Sequence, residues 1–241
     1  MNRPILHPRG YLPLVAVAIL SAMIGAPERA PRVLLLGDSI TLGVRPGVAA
    51  NQTFGGQLET MIKARGLDAS IINVGIGGER TDQALARLSE VLKANRPDIV
   101  LLMYGTNDSY VDFGRKTSRL AIDQYRKNYG ELIERIEQTG AKTVLMTPPR
   151  WADDAPPNGL GENPNLRLEP FVELVRAIAR ERKRPLVDHY AVWSTARQNG
   201  VELMKWTTDG CHPNPDGHRA IAEEILPNLQ PLLTATIPGK G

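Results

Sequence analysis

Cysteine is nearly absent from this chain, since Cys211 is the one residue of its type among 241. A single cysteine excludes an intramolecular disulfide and a metal site built from several thiolates. Aromatic residues are also scarce, at 5% of the chain, and no cluster of lysine and arginine is interleaved with them. We therefore expect no nucleic-acid partner, although the formal net charge is +3.

The glycine spacings of the common nucleotide-binding loops are missing too. Neither the Rossmann pattern nor the P-loop pattern is present, and no serine lies in the G-x-S-x-G turn of ordinary α/β-hydrolases. We expect no cofactor and no metal ion.

The main apolar run, residues 12–24, is short for a transmembrane helix. Arg3 and Arg9 precede it, and small residues at 25 and 26 follow it, as in a secretory signal peptide. We predict a signal peptide over residues 1–26, a secreted or periplasmic location and no stable membrane span after cleavage. An uncleaved membrane anchor is the alternative interpretation.

The remainder, residues 31–235, has the length of one α/β domain, and its composition is that of an ordinary globular protein. Short apolar runs alternate with segments of helical spacing, which predicts a doubly wound parallel sheet. The apolar strands predict a sheet covered on both faces. We predict strands at 32–36, 70–73, 99–104, 143–146 and 186–187, and helices at 51–65, 81–95, 118–139, 167–182, 193–199 and 219–226.

Four short stretches carry the chemical signal: residues 37–40 (GDSI), 73–81 (NVGIGGERT), 105–108 (GTND) and 209–212 (DGCH). Three of them follow strands, at the edge of a parallel sheet where ligands bind. An asparagine side chain can donate to a developing oxyanion. An aspartate and a histidine three residues apart can hydrogen-bond across a tight turn. Each stretch taken alone also fits an ordinary turn or a helix cap.

In this order the four stretches resemble the blocks of the SGNH hydrolase superfamily, which includes the GDSL-like esterases and lipases. The resemblance covers residues 32 to about 226 and implies a three-layer α/β/α flavodoxin-like sandwich with a five-stranded parallel sheet. It implies Ser39 as nucleophile, His212 as base and Asp209 as the partner that orients the base. It also implies an oxyanion hole formed by the backbone N–H groups of Ser39 and Gly78 and the side chain of Asn107.

Other residues near these stretches have competing interpretations. His189 ends the fifth predicted strand and is a rival base, and His218 with Asp216 suggests a metal cluster beside His212. We expect instead that the last helix and its loop account for His218 and Asp216, and that Cys211 is a small packed residue. A separate pair of aromatic residues, Tyr110 and Trp151, lies in loops leaving the active edge, where they either line a substrate pocket or pack on the surface.

We therefore expect a serine esterase that hydrolyses short-acyl esters, such as acetyl esters of an extracellular carbohydrate or small lipid, through an acyl-serine intermediate. A lysophospholipase, thioesterase or acyltransferase with the same residues is the enzymatic alternative. A non-catalytic carbohydrate-binding module on the same fold and a flavodoxin-like cofactor protein are the remaining alternatives.

Overall fold

Five parallel strands form the centre of the protein, in the order β2-β1-β3-β4-β5. The computed structural model describes residues 29–235. The predicted fold class is confirmed, because helices cover both sides of the sheet. The strands are β1 (Arg32–Gly37), β2 (Ser70–Asn73), β3 (Ile99–Met103), β4 (Lys142–Thr147) and β5 (Leu186–Asp188).

Consecutive residues of β1 point to opposite sides of the sheet and enter two separate hydrophobic cores. Val33 and Leu35 belong to one core, and Leu34 and Leu36 belong to the other. This alternation is the period of an extended strand. Every residue of β3 is buried, as expected for a central strand, whereas both ends of the edge strand β2 are exposed. The inner residues of β2 still pack into both cores, Ile71 on one face and Ile72 on the other, so the prediction of a sheet covered on both faces is confirmed.

The helices divide between the two faces. Apolar side chains of α2, α7 and α8 pack with Val33 and Leu35, and those of α3, α5 and α6 pack with Leu34 and Leu36. The helices are α1 (Ser39–Leu42), α2 (Phe54–Ala64), α3 (Thr81–Asn95), α4 (Thr106–Ser109), α5 (Ile122–Glu137), α6 (Asn165–Arg182), α7 (His189–Gln198) and α8 (Pro215–Ala235). Two short 3₁₀ helices, Ala50–Gln52 and Leu203–Trp206, complete the set in the described residues.

Several helix ends differ from the sequence-based prediction. Helix α7 begins four residues early, because the Asp188 carboxylate accepts a hydrogen bond of 3.1 Å from the Ala191 N–H and caps the helix. Helix α8 continues to Ala235 although it contains Pro227 and Pro231. Leu229 and Leu233 are buried in the core, so packing outweighs the local cost of the prolines. The four-residue helices α1 and α4 were not predicted.

The predicted signal peptide, residues 1–26, lies outside the described residues. Between residues 29 and 235, no helix has the length and apolar character needed to cross a membrane.

His189 starts α7 and is completely buried. Within residues 29–235, neither ring nitrogen has a hydrogen-bond partner. Burial lowers the pKa of His189 to about 3, and the nearby Asp188 raises it only in part. This histidine is therefore neutral in the folded protein at neutral pH.

The burial of His189 predicts an acid-sensitive fold. Between pH 6.5 and about pH 3 the unfolded chain binds a proton at this histidine and the folded chain does not. Stability therefore falls as the pH falls through this window, by up to about 1.4 kcal/mol per pH unit from this group.

We expect His189→Gln to flatten the dependence of the unfolding free energy on pH in urea titrations between pH 4 and 7. His218→Gln is a second test, since burial lowers the pKa of His218 to about 4. Parallel curves for the wild type and both variants would contradict the prediction.

Candidate active site

Ser39 is the first residue of α1, directly after β1. The buried Asp38 caps this helix, because its Oδ1 accepts a hydrogen bond of 2.9 Å from the Ile40 N–H. The interpretation of this stretch as a helix cap is therefore right for Asp38. The cap leaves Ser39 partly exposed at a helix start, where backbone N–H groups are free to donate.

The chain brings Ser39, His212 and Asp209 into one hydrogen-bonded line. Ser39 Oγ lies 2.9 Å from His212 Nε2, and His212 Nδ1 lies 2.8 Å from Asp209 Oδ2. The His212 side chain is 27% exposed and the Asp209 side chain 39%. The line is therefore open to solvent at the carboxyl edge of the sheet.

Four hydrogen bonds hold the Asp209 carboxylate. The backbone N–H groups of Cys211 and His212 donate to Oδ1 at 3.1 and 2.8 Å. Arg45 Nη2 donates to Oδ2 at 2.9 Å, and the His212 ring is the fourth partner, also at Oδ2. Partial burial raises the pKa of Asp209, but hydrogen bonds from the His212 N–H, the His212 ring and the Cys211 N–H outweigh it and hold the pKa at about 2. This carboxylate is ionised at neutral pH, so it can orient a neutral imidazole and stabilise a protonated one.

The glycine-rich stretch after β2 packs directly against the serine loop. The Ile76 N–H donates to the Gly37 carbonyl at 3.1 Å, and Asn73 Nδ2 donates to the Thr41 carbonyl at 2.7 Å. A Cβ on Gly75 would lie 2.3 Å from the Leu42 nitrogen, so glycine is required for this approach. Gly78 follows with a φ of 74° at the exposed end of the loop.

Asn107 lies in α4, directly after β3, and its amide is bonded on both sides. Its Nδ2 donates to Asp38 Oδ2 at 3.3 Å, and its Oδ1 accepts from Arg119 Nη1 at 3.1 Å. The amide thus contacts the aspartate that caps the serine helix. This arrangement places an N–H donor beside the serine loop.

The next residue, Asp108, joins the third stretch to the second. It is completely buried, and its Oδ1 accepts from the Thr81 N–H at 2.9 Å and from the Thr81 hydroxyl at 2.6 Å. Burial raises the pKa of Asp108 to about 6 and that of Asp38 to about 7. These two carboxyls hold loops together, whereas Asp209 is ionised and bound to the histidine.

The competing residues are not part of the hydrogen-bonded line. His189 is buried at the start of α7 with a pKa of about 3, and His218 is buried against the Phe54 ring. Burial also raises the pKa of the Cys211 thiol, as expected for a packed residue. Among residues 29–235, no three histidine, cysteine, aspartate or glutamate side chains are grouped as metal ligands would be.

The two predicted aromatic residues meet beside this site. The rings of Tyr110 and Trp151 stack with centroids 5.8 Å apart, and the Arg119 guanidinium lies 5.1 Å from the Tyr110 centroid. The loop that carries Trp151 is bonded to the turn between Asp209 and His212, because the Ala152 N–H donates to the Gly210 carbonyl at 2.8 Å.

Two arginines of this site, Arg45 and Arg119, were not predicted from the sequence. Neither lies in a recognisable motif, and nothing separates them from the chain's other 27 lysines and arginines. Their roles depend on contacts between segments that are distant in the sequence. Only the fold shows which carboxylate or amide each one reaches.

Comparison with known proteins agrees with the geometry. A family model described as the GDSL-like Lipase/Acylhydrolase family matches residues 35–220, which include all four stretches. An arylesterase from Vibrio mimicus is 26% identical over 227 residues, covering 90% of this chain and 96% of the relative. An acetylxylan esterase from Geobacillus stearothermophilus is 26% identical over 219 residues, covering 84% of this chain and 94% of the relative.

A solved structure shares the fold. The crystal structure of the lipase/acylhydrolase from Enterococcus faecalis matches with a TM-score of 0.70 at 24% identity, covering 88% of this chain and 100% of that chain.

The close approach at Gly75 predicts a sharp difference between two glycines of one loop. Gly75→Ala forces its Cβ against the Leu42 backbone, whereas a Cβ on Gly77 meets nothing within 4 Å. We expect Gly75→Ala to destabilise the protein by about 1–3 kcal/mol and to lower esterase activity by displacing the serine loop. Gly77→Ala is the matched control and should resemble the wild type in thermal melting and turnover. Equal behaviour of the two variants would show that the loop does not hold the serine.

Proposed function

This chain belongs to the GDSL-like lipase/acylhydrolase family, and we propose that it cleaves carboxylic esters through an acyl intermediate on Ser39. It is an ester hydrolase of the SGNH type. The single observation that carries the proposed mechanism is the line from Ser39 Oγ through the His212 ring to Asp209 Oδ2. In this proposal residues 31–235 form the catalytic domain.

In the first half-reaction, Ser39 Oγ attacks the ester carbonyl carbon while its proton passes to His212 Nε2. The Nδ1–H of the same ring donates to the Asp209 carboxylate, which stabilises the imidazolium. The tetrahedral intermediate then expels the alcohol, which leaves with the proton from His212. The acyl group remains on Ser39.

The negative charge of the tetrahedral intermediate needs donors aimed at its oxygen. We assign this role to the backbone N–H groups of Ser39 and Gly78 and to the Asn107 amide, which lies next to the serine loop. Loss of one such donor lowers kcat about 10²- to 10³-fold in serine hydrolases.

In the second half-reaction, water attacks the acyl-serine. His212 takes one proton from the water and returns it to Ser39 Oγ as the carboxylic acid leaves. The free enzyme is restored, and the balance is one ester and one water converted into one acid and one alcohol.

The substrate class follows from the shape and chemistry around the serine. The exposure of His212 and Asp209 makes the site open. Because an open site buries little of a long acyl chain, it favours a small acyl group such as acetyl. The stacked pair Tyr110 and Trp151 offers a flat apolar surface for a ring in the alcohol part, either aromatic or carbohydrate. The arylesterase and acetylxylan esterase relatives support ring-bearing alcohols.

We also propose that the protein is exported, so that its substrate is extracellular or periplasmic. Arg3, Arg9 and the apolar run at residues 12–24 support this location. The mass of the mature chain tests it, since cleavage after Ala26 would remove the first 26 residues.

The nucleophile assignment predicts that Ser39→Ala abolishes hydrolysis of p-nitrophenyl acetate. We expect a loss of at least about 10⁴-fold in kcat, as for removal of a triad member elsewhere. A fluorophosphonate probe should label the wild type at Ser39. Ser194→Ala, which removes a hydroxyl bonded to the Tyr190 carbonyl in α7, is the control and should keep full activity. Undiminished turnover by Ser39→Ala would exclude the mechanism, and absence of labelling in the folded protein would favour a non-catalytic binding protein.

The aromatic pair predicts a change in substrate preference. Loss of a ring stack of about 0.5–1.5 kcal/mol corresponds to a rise in KM of about twofold to tenfold. We expect this rise in Trp151→Ala for p-nitrophenyl acetate and acetylated xylo-oligosaccharides, but not for ethyl acetate. Trp151→Phe should restore most of the binding.

Phe113→Ala is the matched control, because it removes a 96% exposed ring that lies outside the stacked pair. A uniform rise in KM for all three esters would contradict ring recognition. Faster turnover of lysophospholipid or acyl-thioester than of any acetyl ester would favour the lysophospholipase or thioesterase alternative.

A further inference from the structure

Arg119 makes three directed hydrogen bonds beside the site. Its Nε and Nη2 donate to the two carboxylate oxygens of Asp112 at 2.9 and 2.7 Å, and its Nη1 donates to Asn107 Oδ1 at 3.1 Å. The backbone N–H of Arg119 also donates to the Tyr110 carbonyl at 2.9 Å. The guanidinium is therefore held by Asp112 and by the Tyr110 ring beneath it, while the backbone bond holds the main chain that carries it.

This anchoring matters because the two ends of an asparagine amide have nearly the same shape but opposite hydrogen-bonding roles. If the Asn107 amide turned over, its oxygen would face the developing oxyanion and repel it. Asp38 favours the correct orientation by accepting from Nδ2, but at a long distance of 3.3 Å. The Arg119 contact fixes the opposite end of the amide with a permanent cation.

We propose that Arg119 is a positioning residue. It holds the Asn107 amide so that one Nδ2 hydrogen bonds to Asp38 and the other is directed at the oxyanion. Its positive charge beside Oδ1 also polarises the amide and strengthens its N–H donors. This inference rests on the proposed function, because it assumes that Asn107 stabilises the tetrahedral intermediate. Arg119 contributes to turnover without contacting the reacting atoms.

Asp112 extends this positioning chain by one residue. Hydrogen bonding to Arg119 lowers the pKa of the Asp112 carboxyl, so the pair is ionic at neutral pH. The planar guanidinium uses two donors for Asp112 and one for Asn107, so its direction is set by the carboxylate. A lysine at this position offers a point charge without the planar set of donors. It can therefore restore the orientation of the Asn107 amide only in part.

A different role for Arg119 makes a different kinetic prediction. The guanidinium lies over Tyr110, one of the two rings assigned to substrate binding. If Arg119 bound the substrate directly, its replacement would raise KM and leave kcat nearly unchanged. If it acts through Asn107, kcat falls and KM stays the same, because the oxyanion exists only after the attack.

The experiment is a double-mutant cycle on kcat for p-nitrophenyl acetate, with Arg119→Gln, Asn107→Ala and the double variant. We expect Arg119→Gln to lower kcat about tenfold, less than the 10²- to 10³-fold cost of losing the oxyanion donor itself, with KM within about twofold. In the Asn107→Ala background the same substitution should change kcat by less than about twofold, because the group it positions is gone. Arg119→Lys should recover part of kcat.

Arg126→Gln is the matched control, since Arg126 pairs with Glu181 at 3.1 Å in an exposed contact between α5 and α6. It should keep wild-type kcat and KM. Circular dichroism and thermal melting establish folding for each variant. If Arg119→Gln does not fold, Asp112→Asn retains Arg119 but removes its anchor, and it should lower kcat in the same cycle by a smaller factor.

Additive losses in the cycle, a rise in KM at constant kcat, or an unchanged kcat would each overturn the role of Arg119. These results are distinct from failure of the proposed function, which is judged by Ser39→Ala. An inactive Ser39→Ala with an unaffected Arg119→Gln removes only the positioning role. An active Ser39→Ala removes the proposed mechanism and this inference with it.

Discussion

The hydrogen bond between Ser39 and His212 joins residues that are 173 positions apart in the chain. No local preference can form such a contact, so it depends on the register of the whole parallel sheet. Strand β1 delivers Ser39 to the carboxyl edge, and the turn before α8 delivers His212 to the same edge. Val33 and Leu35 of β1 share one hydrophobic core with the apolar side chains of α8, and this packing keeps Ser39 within reach of His212.

Buried carboxyl groups join the loops at that edge, and they carry a cost. Asp38 caps the serine helix and contacts Asn107, while Asp108 fixes the start of α3 through Thr81. Burial raises the pKa of both carboxyls, so their ionised forms oppose folding. A third group, Glu79, is buried in the glycine-rich stretch, where it is paired with Arg87 and accepts a hydrogen bond from the Tyr104 hydroxyl. These buried groups hold the loops of the site in place. Apolar side chains at the same positions would cost less to bury, so the loops are held at some expense of stability.

Much of this architecture could be predicted from the sequence, because it depends on local patterns. The five strands are short apolar runs bounded by breakers, and the Asp209 turn encodes its own hydrogen bonds to His212 through a spacing of three residues. What escaped prediction depends on partners distant in the chain. Helix α8 passes two prolines because Leu229 and Leu233 are buried, and Arg119 matters because folding places it against Asn107.

The hydrogen bond from the Ala152 N–H to the Gly210 carbonyl links the loop that carries Trp151 to the turn that carries His212. Under the proposed function, recognition of the alcohol group and proton transfer therefore share one piece of backbone. These two properties cannot evolve independently of each other. An insertion that reshapes the loop for a bulkier substrate also displaces the turn that carries His212. We therefore expect changes of alcohol specificity in this protein to come from side-chain exchanges at Tyr110 and Trp151 rather than from changes in loop length.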